Sequence, residues 1–62
     1  MNGYVMFTPG VVYYCQYNDK RYIGVLEKQD EKNVTIKLAN TEGFAFEYRT
    51  FKRSKLLAEV IR

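Results

Sequence analysis

The stretch NVTIKLA, residues 33–39, alternates apolar and polar side chains over its length. Val34, Ile36 and Leu38 fall on one side of an extended chain, opposite a threonine and a lysine. Alternation with a period of two is typical of a β-strand with one buried face. Polar turn sequences flank the stretch at residues 29–32 and 40–43. It therefore predicts a half-buried strand and indicates an all-β domain.

Two further strands are predicted on the N-terminal side of this stretch. Residues 11–17 and 21–28 are rich in β-branched and aromatic side chains, and Asn18-Asp19-Lys20 separates them with a turn sequence. Pro9-Gly10 precedes the first run. The two runs predict a hairpin, and Gly24 within the second marks a bend or a close backbone contact.

A fourth strand and a fifth short element are predicted on the C-terminal side. Aromatic side chains alternate with other types over residues 44–49, and the alternation slips at Thr50-Phe51. A bulge or strand end there would bring Phe51 into the core. Residues 52–55 predict a tight turn, and residues 56–61 predict a short strand or one to two turns of helix.

The size and composition of the chain limit its architecture. Its 62 residues form one domain, near the lower limit at which an apolar core alone outweighs chain entropy. A content of 47% hydrophobic and 27% charged residues is typical of a globular chain rather than a disordered one. A flat sheet this small would keep two exposed edges and an uncovered face. The sequence therefore predicts a single five-stranded barrel over residues 1–62, with a short 3-10 or helical turn near its C-terminus.

The composition argues against catalysis, cofactors and metals. The chain has no histidine and one cysteine, so it lacks both an internal disulfide and a Cys/His zinc set. Cys15 is expected to be a small buried apolar side chain. Acid–base catalysis usually needs histidine or tuned carboxylates in a cleft that excludes water. With no signal-like leader and no apolar run of about 20 residues, we expect a soluble, cytoplasmic, non-catalytic protein.

Two segments resemble known small barrels. One resembles the opening of SH3-like barrels of the Tudor and KOW type; it consists of Phe7-Thr-Pro-Gly10 followed by Val12, Tyr14, Tyr17, Arg21, Tyr22, Gly24 and Val25. The other, YRTFKRSKL at residues 48–56, is similar to the closing segment of WYL domains, which are Sm-like SH3 barrels. It has Ser54 where that family has aspartate, and the Trp-Tyr-Leu run has no counterpart. The resemblance implies an SH3-like barrel that senses nucleic-acid or nucleotide ligands through basic and aromatic residues.

Positive charge is concentrated near the C-terminus. Residues 49–62 hold five cations and one acid, whereas the whole chain carries a net charge of +3. Cations this closely spaced at a strand end can reach consecutive phosphates. They can equally form a solvated turn that keeps a sheet edge from aggregating. Arg49 has a further structural reading, since it could pair with Glu47 or Glu27.

Tyrosines on both faces of the first strand imply that one set is partly exposed. An exposed ring can stack on a base, hold a methylated ammonium group or anchor a protein. Together with the cations, these rings form the predicted nucleic-acid-binding set. It comprises Arg49, Lys52, Arg53, Lys55, Tyr14, Tyr17, Arg21 and Tyr22.

Three functions are compatible with these residues. The first is a binding module for nucleic acid, either RNA or single-stranded DNA. The second is a protein–protein interaction module, since the chain is similar in size to small proteins that phages and mobile elements make to bind a host protein. The third is a nucleotide pocket formed at the interface of a homo-oligomer. Phosphate contacts plus ring stacking favour the first.

Overall fold

The fold is a single antiparallel sheet of five strands. The structure, a computed structural model, describes residues 6–39 and 47–61. Its strands are β1 (Val12–Tyr17), β2 (Lys20–Gln29), β3 (Asn33–Leu38), β4 (Glu47–Lys52) and β5 (Leu57–Val60). The all-β prediction is confirmed, whereas closure of the sheet into a barrel stays a prediction. No helix among the described residues has the length and apolar content to cross a membrane.

The strand order places the last strand beside the first. The order across the sheet is β4-β3-β2-β1-β5, and a 3-10 helix, Arg53–Lys55, links β4 to β5. The predicted helical turn near the C-terminus is thus confirmed, and the fifth element after it is a strand. The predicted turn at residues 40–43 and the predicted strand residues 44–46 lie outside the described residues.

The β1–β2 hairpin turns at Asn18 and Asp19. Both residues have positive φ, 50° and 67°, as in a type I′ turn. Asn and Asp tolerate this left-handed backbone better than other non-glycine residues do, and the turn suits the twist of the flanking strands. The predicted hairpin is confirmed, but Lys20 belongs to β2, where it lies opposite Tyr17.

Gly24 lies in the middle of β2, between two neighbouring strands. It is opposite Tyr13 of β1 and opposite Leu38 of β3. A Cβ at this position would overlap the carbonyl oxygen of Lys37 and lie 2.7 Å from Cγ2 of Ile36. Only glycine therefore lets β3 approach β2 this closely, which confirms the predicted close backbone contact.

The core lies on one face of the sheet. Its buried apolar side chains are Phe7, Tyr13, Cys15, Val34, Ile36, Leu38 and Phe51. The predicted inward face of β3 is confirmed. Thr35, on the other face of β3, is also buried, and its Oγ1 shares a 2.8 Å hydrogen bond with Oγ1 of Thr50 on β4, which satisfies the buried hydroxyl.

β4 reaches the core without the irregularity predicted at Thr50-Phe51. Its pairing with β3 is continuous, and Phe51 lies opposite Val34 on the core face. Tyr48 belongs to the other face and is 53% exposed. The predicted bulge at this position is wrong. With Phe51 rather than Tyr48 on the inner face, β4 alternates regularly between its two faces and needs no extra residue. A register shift occurs instead in β2, between Leu26 and Lys28.

The segment before β1 is fastened to the sheet by Gln29 and Tyr13. The Phe7 N–H donates to Oε1 of Gln29 at 3.1 Å, and Nε2 of Gln29 donates to the Phe7 carbonyl at 2.8 Å. The Phe7 ring meets the Tyr13 ring edge-on, with centroids 4.8 Å apart. The Tyr13 hydroxyl accepts the Thr8 N–H at 2.8 Å. These contacts bury Phe7 against the core.

The overlap at Gly24 predicts that Gly24→Ala destabilises the fold. A Cβ there can be accommodated only if β3 moves away from β2, so we expect a loss of about 2–3 kcal/mol in the free energy of unfolding. Gly10→Ala is a matched control: Gly10 has a φ of 82° but no atom within 4 Å of an added Cβ. It should cost about 1 kcal/mol of backbone strain. Urea unfolding followed by circular dichroism measures both, and equal losses would contradict the overlap.

Candidate nucleic-acid interface

Three aromatic rings and one guanidinium cluster where β1, β2 and β4 lie close together. The Tyr17 and Tyr22 rings contact the Phe51 ring, with centroid distances of 4.8 and 5.2 Å. The guanidinium carbon of Arg49 lies over the Tyr22 ring, 5.4 Å from its centroid. Edge-to-face ring pairs and a cation over a ring face are both favourable arrangements. The cluster therefore places a planar cation and aromatic surface at one location.

Strand register explains why these side chains share one face. Tyr22 lies opposite Cys15, and Phe51 lies opposite Val34, which are both core positions. Tyr17 is two residues beyond Cys15 on β1 and so points to the same side. Phe51 is fully enclosed, while the two tyrosines are half-buried. The tyrosines thus form the rim of the core.

The rings border a cleft of about 220 Å³, which we call the Tyr22 cleft. Its lining residues are Tyr17, Asn18, Lys20, Tyr22, Arg49, Thr50 and Phe51. Two of them are cations, and none of these described residues is acidic. A cleft this small cannot enclose a drug-sized ligand, but it can take one planar group.

Arg49 is held by an exposed ion pair. Its NH2 donates to Oε2 of Glu47 at 2.8 Å, and the two side chains are 47% and 53% exposed. The hydrogen bond to Glu47, followed by the interaction with Tyr22, raises the pKa of Arg49 above its ordinary value. Such an exposed pair contributes little to stability. The predicted pairing with Glu47 is confirmed, and a phosphate could replace the carboxylate at small cost.

Arg53, in contrast, is buried and serves the fold. It is 9% exposed, and its NH2 donates to Oε1 of Gln29 and to the carbonyl of Asp30, at 2.8 and 2.7 Å. Its Nε donates to the same carbonyl at 3.2 Å. The guanidinium carbon also lies 5.9 Å from the centroid of the Phe7 ring. Arg53 thereby joins the 3-10 helix to the β2–β3 turn and to the N-terminal segment.

Asp30 shapes the turn that receives Arg53. Its Oδ1 accepts the backbone N–H groups of Lys32 and Asn33 at 2.8 and 2.7 Å. These hydrogen bonds, Asn33 first, lower the pKa of Asp30 below its ordinary value. A side chain bonded to the backbone two or three residues ahead is a common way to fix a turn. It fixes the position of the carbonyl that accepts from Arg53.

The other predicted residues divide between the two faces of the sheet. Lys52 and Lys55 are exposed, and the backbone N–H of Lys52 donates to the Tyr17 hydroxyl at 3.3 Å, which links Lys52 to the Tyr22 cleft. Tyr14 and Arg21 lie on the outer face, because they alternate with the buried Tyr13 and with Tyr22. The structure therefore brings Tyr17, Tyr22 and Arg49 together and places Tyr14 and Arg21 elsewhere.

Lys20, predicted to lie in the turn after β1, lines the Tyr22 cleft. It lies opposite Tyr17, and it precedes Tyr22 by two residues on the same strand. Side chains two residues apart on a strand share a face. A predicted strand that begins at Lys20, rather than at Arg21, therefore places this lysine on the face of Tyr22.

Cys15 is fully buried, and burial raises the pKa of its thiol. The prediction of a buried apolar side chain is confirmed. The part of the chain that the structure describes holds no group of three His, Cys, Asp or Glu side chains suited to a metal ion. Comparison with known protein families, with curated proteins and with solved structures finds no significant match to this chain.

The contacts of Arg53 predict a large difference between neighbouring cations in their effect on stability. Arg53→Ala leaves Gln29 Oε1 and the Asp30 carbonyl without their charged donor, so the free energy of unfolding should fall by about 2–3 kcal/mol. Lys55→Ala, an exposed matched control two residues away, should change it by less than about 0.5 kcal/mol. Urea unfolding followed by tyrosine fluorescence measures both. Similar values for the two variants would contradict a structural role for Arg53.

Proposed function

We propose that this chain is a small non-catalytic binding module with an SH3-like barrel fold, and that it binds single-stranded nucleic acid at the Tyr22 cleft. The observation that carries the proposal is the Arg49 guanidinium over the Tyr22 ring, with Lys20 and Tyr17 lining the same cleft. Single strands are bound without sequence preference by cations that follow the backbone and rings that stack on bases. Both features occur together here.

The order and connections of the strands support the SH3-like part of the proposal. Four strands form a meander, a 3-10 helix follows, and β5 returns to the side of β1. β2 pairs with β1 through its first half and with β3 through its second, with Gly24 at the overlap and a register shift beyond it. Glycines and bulges are devices that let a short sheet bend strongly.

The cations near the cleft support contacts with phosphates. Lys20 and Arg49 line the cleft itself, and Lys52 and Lys55 are exposed on the strand end and helix that follow. Each cation that neutralises a phosphate releases counterions, so affinity should fall as salt rises. The exposed ion pair between Arg49 and Glu47 can be exchanged for an ion pair between Arg49 and a phosphate, because exposed ion pairs contribute little to stability.

The size of the cleft supports a single strand over a duplex. A volume of about 220 Å³ suits one planar group. In a duplex the flat faces of the bases are stacked on one another, whereas an unpaired strand can splay a base onto a tyrosine or a guanidinium plane. The Arg49 guanidinium, which covers one face of the Tyr22 ring, offers such a plane, and the Tyr17 ring borders the same cleft.

The lysines of β2 supply a matched test of phosphate binding. We expect Lys20→Ala to weaken binding of fluorescein-labelled oligo(dT) and oligo(rU) of about 12 nucleotides, and to reduce the slope of log affinity against log salt by about 0.7. Lys28→Ala removes another exposed lysine of β2 from outside the cleft and should leave the slope unchanged. Fluorescence anisotropy over a range of salt concentrations measures both. Failure of the wild-type protein to bind either oligonucleotide at about 50 mM salt would refute the proposal.

The Tyr22 ring supplies a separate test of stacking. Tyr22→Leu keeps an apolar side chain against Phe51 but removes the ring, and we expect affinity to fall by about 5-fold to 100-fold, as for loss of one stacked base. The salt slope should stay unchanged, since no charge is lost. Tyr48→Leu, on the opposite face, serves as the control and should bind normally. Thermal melting confirms that each variant is folded.

A second candidate is a protein-interaction module, for which the outer face of β1 and β2 offers an observation. Val12, Ile23 and Ile61 are 41%, 42% and 44% exposed, and Tyr14 lies among them, opposite Ile23. Exposed apolar clusters are typical of protein interfaces. A pull-down from lysate treated with nuclease, set against retention on heparin or single-stranded DNA at low salt, separates this candidate from nucleic-acid binding.

A further inference from the structure

We propose that the edge of β5 that faces away from β1, together with the groove beside it, binds an extended acidic segment of another protein by adding it to the sheet as a further strand. This site shares no lining residue with the Tyr22 cleft, and Lys52 is the one exposed cation that we assign both to phosphate contacts and to this groove. It rests on the groove, on a strand edge that no other described strand pairs with, and on the charges at the rim.

The groove lies between the β2–β3 turn, the 3-10 helix and the start of β5. Its volume is about 880 Å³, and its lining residues are Phe7, Glu31, Lys32, Asn33, Lys52, Arg53, Ser54, Leu56, Leu57 and Ala58. This is within the size range of clefts that bury most of a bound ligand. The aromatic and aliphatic members of this lining offer an apolar surface to a side chain such as valine or leucine.

The edge of β5 presents main-chain groups for pairing. β5 pairs with β1, and no strand of the described residues pairs with its other side. The N–H of Ile61 donates to the carbonyl of Val12 at 3.0 Å. Because hydrogen bonding alternates along an antiparallel pair, Ala58 and Val60 turn their N–H and C=O groups away from β1. An extended peptide can satisfy these groups by strand addition.

The charges at the rim select the chemistry of the partner. Lys32 and Lys52 line the groove and are exposed, and neither forms an ion pair with a described acid. Glu31 is the one acidic residue of the lining, beside three cations. Carboxylates on an incoming strand are attracted to these lysines, and this attraction increases both the affinity and the rate of association. The groove therefore fits a segment that alternates apolar and acidic residues.

The strand edge favours a peptide over an oligonucleotide at this site. A nucleic acid could offer phosphates to the lysines and a base to the apolar lining. It lacks N–H and C=O groups repeated at the spacing of a β-strand, so it cannot pair with Ala58 and Val60. Only a polypeptide uses all three features of the site.

The test is a titration followed by the backbone amide signals of the isotope-labelled full chain. The probe is an acetylated and amidated peptide of about seven residues, with valine at alternate positions and glutamate between them. We expect saturable shifts at Ala58 and Val60 and slowed hydrogen exchange of both amides. The matched control peptide carries lysine in place of glutamate and should bind at least about 10-fold more weakly.

Variants of the chain and of the peptide test the two recognition elements separately. Ala58→Pro removes an N–H from the open side of an edge strand, where proline is tolerated, and should weaken binding about 10-fold. Should Ala58→Pro fail to fold, N-methylation of alternate peptide amides blocks the same pairing from the other side. Lys32→Glu combined with Lys52→Glu should reverse the preference between the two peptides.

Four outcomes would overturn the proposal. They are absence of saturable binding by the glutamate peptide, equal binding of the lysine peptide, undiminished binding after N-methylation, and displacement of the peptide by oligo(dT) with shifts at the same amides. The last outcome would assign the groove to nucleic acid.

Discussion

The sheet depends on the absence of a side chain at Gly24. β2 has to supply hydrogen bonds to β1 along one edge and to β3 along the other, and at Gly24 these two ladders overlap. The carbonyl oxygen of Lys37 occupies the space that any Cβ would fill. Because β3 can approach this far, Ile36 and Leu38 share one core cluster with the buried Tyr13 and Cys15 of β1. The core, and with it the rim on which the Tyr22 cleft is built, follows from this approach.

Local sequence pattern accounts for the elements whose two faces differ in polarity. The inward set of β3 was predictable because its alternate positions are apolar on one side and polar on the other. β4 was not, since large rings occur on both of its faces, and a shift of one residue exchanges them. The pairing of β4 with β3 determines which face is buried, because it places Phe51 opposite the core residue Val34. The hairpin turn was predictable from Asn18 and Asp19, whose backbone preferences are intrinsic.

The candidate site was predictable only in part, because each of its residues depends on partners that are distant in the chain. The sequence shows that cations and tyrosines are present, but their partners are distant in the chain. Arg53 bonds to groups 23 and 24 residues away, and this long-range contact turns an apparent surface cation into a buried one. Tyr22 and Arg49 likewise meet only through the pairing of three strands. Composition therefore indicates that cations and aromatic rings are the candidate binding groups. The pairing of the strands determines which of them lie together.

The carboxamide of Gln29 performs two tasks that few side chains can combine. Its oxygen accepts from Phe7 and from Arg53, while its nitrogen donates to the Phe7 carbonyl. Glutamate would set an acceptor oxygen, in place of the N–H donor, against that carbonyl, asparagine is one methylene shorter, and lysine has no acceptor. Slow deamidation of Gln29 during storage would therefore remove the hydrogen bond to the Phe7 carbonyl and loosen the attachment of the N-terminal segment to the sheet.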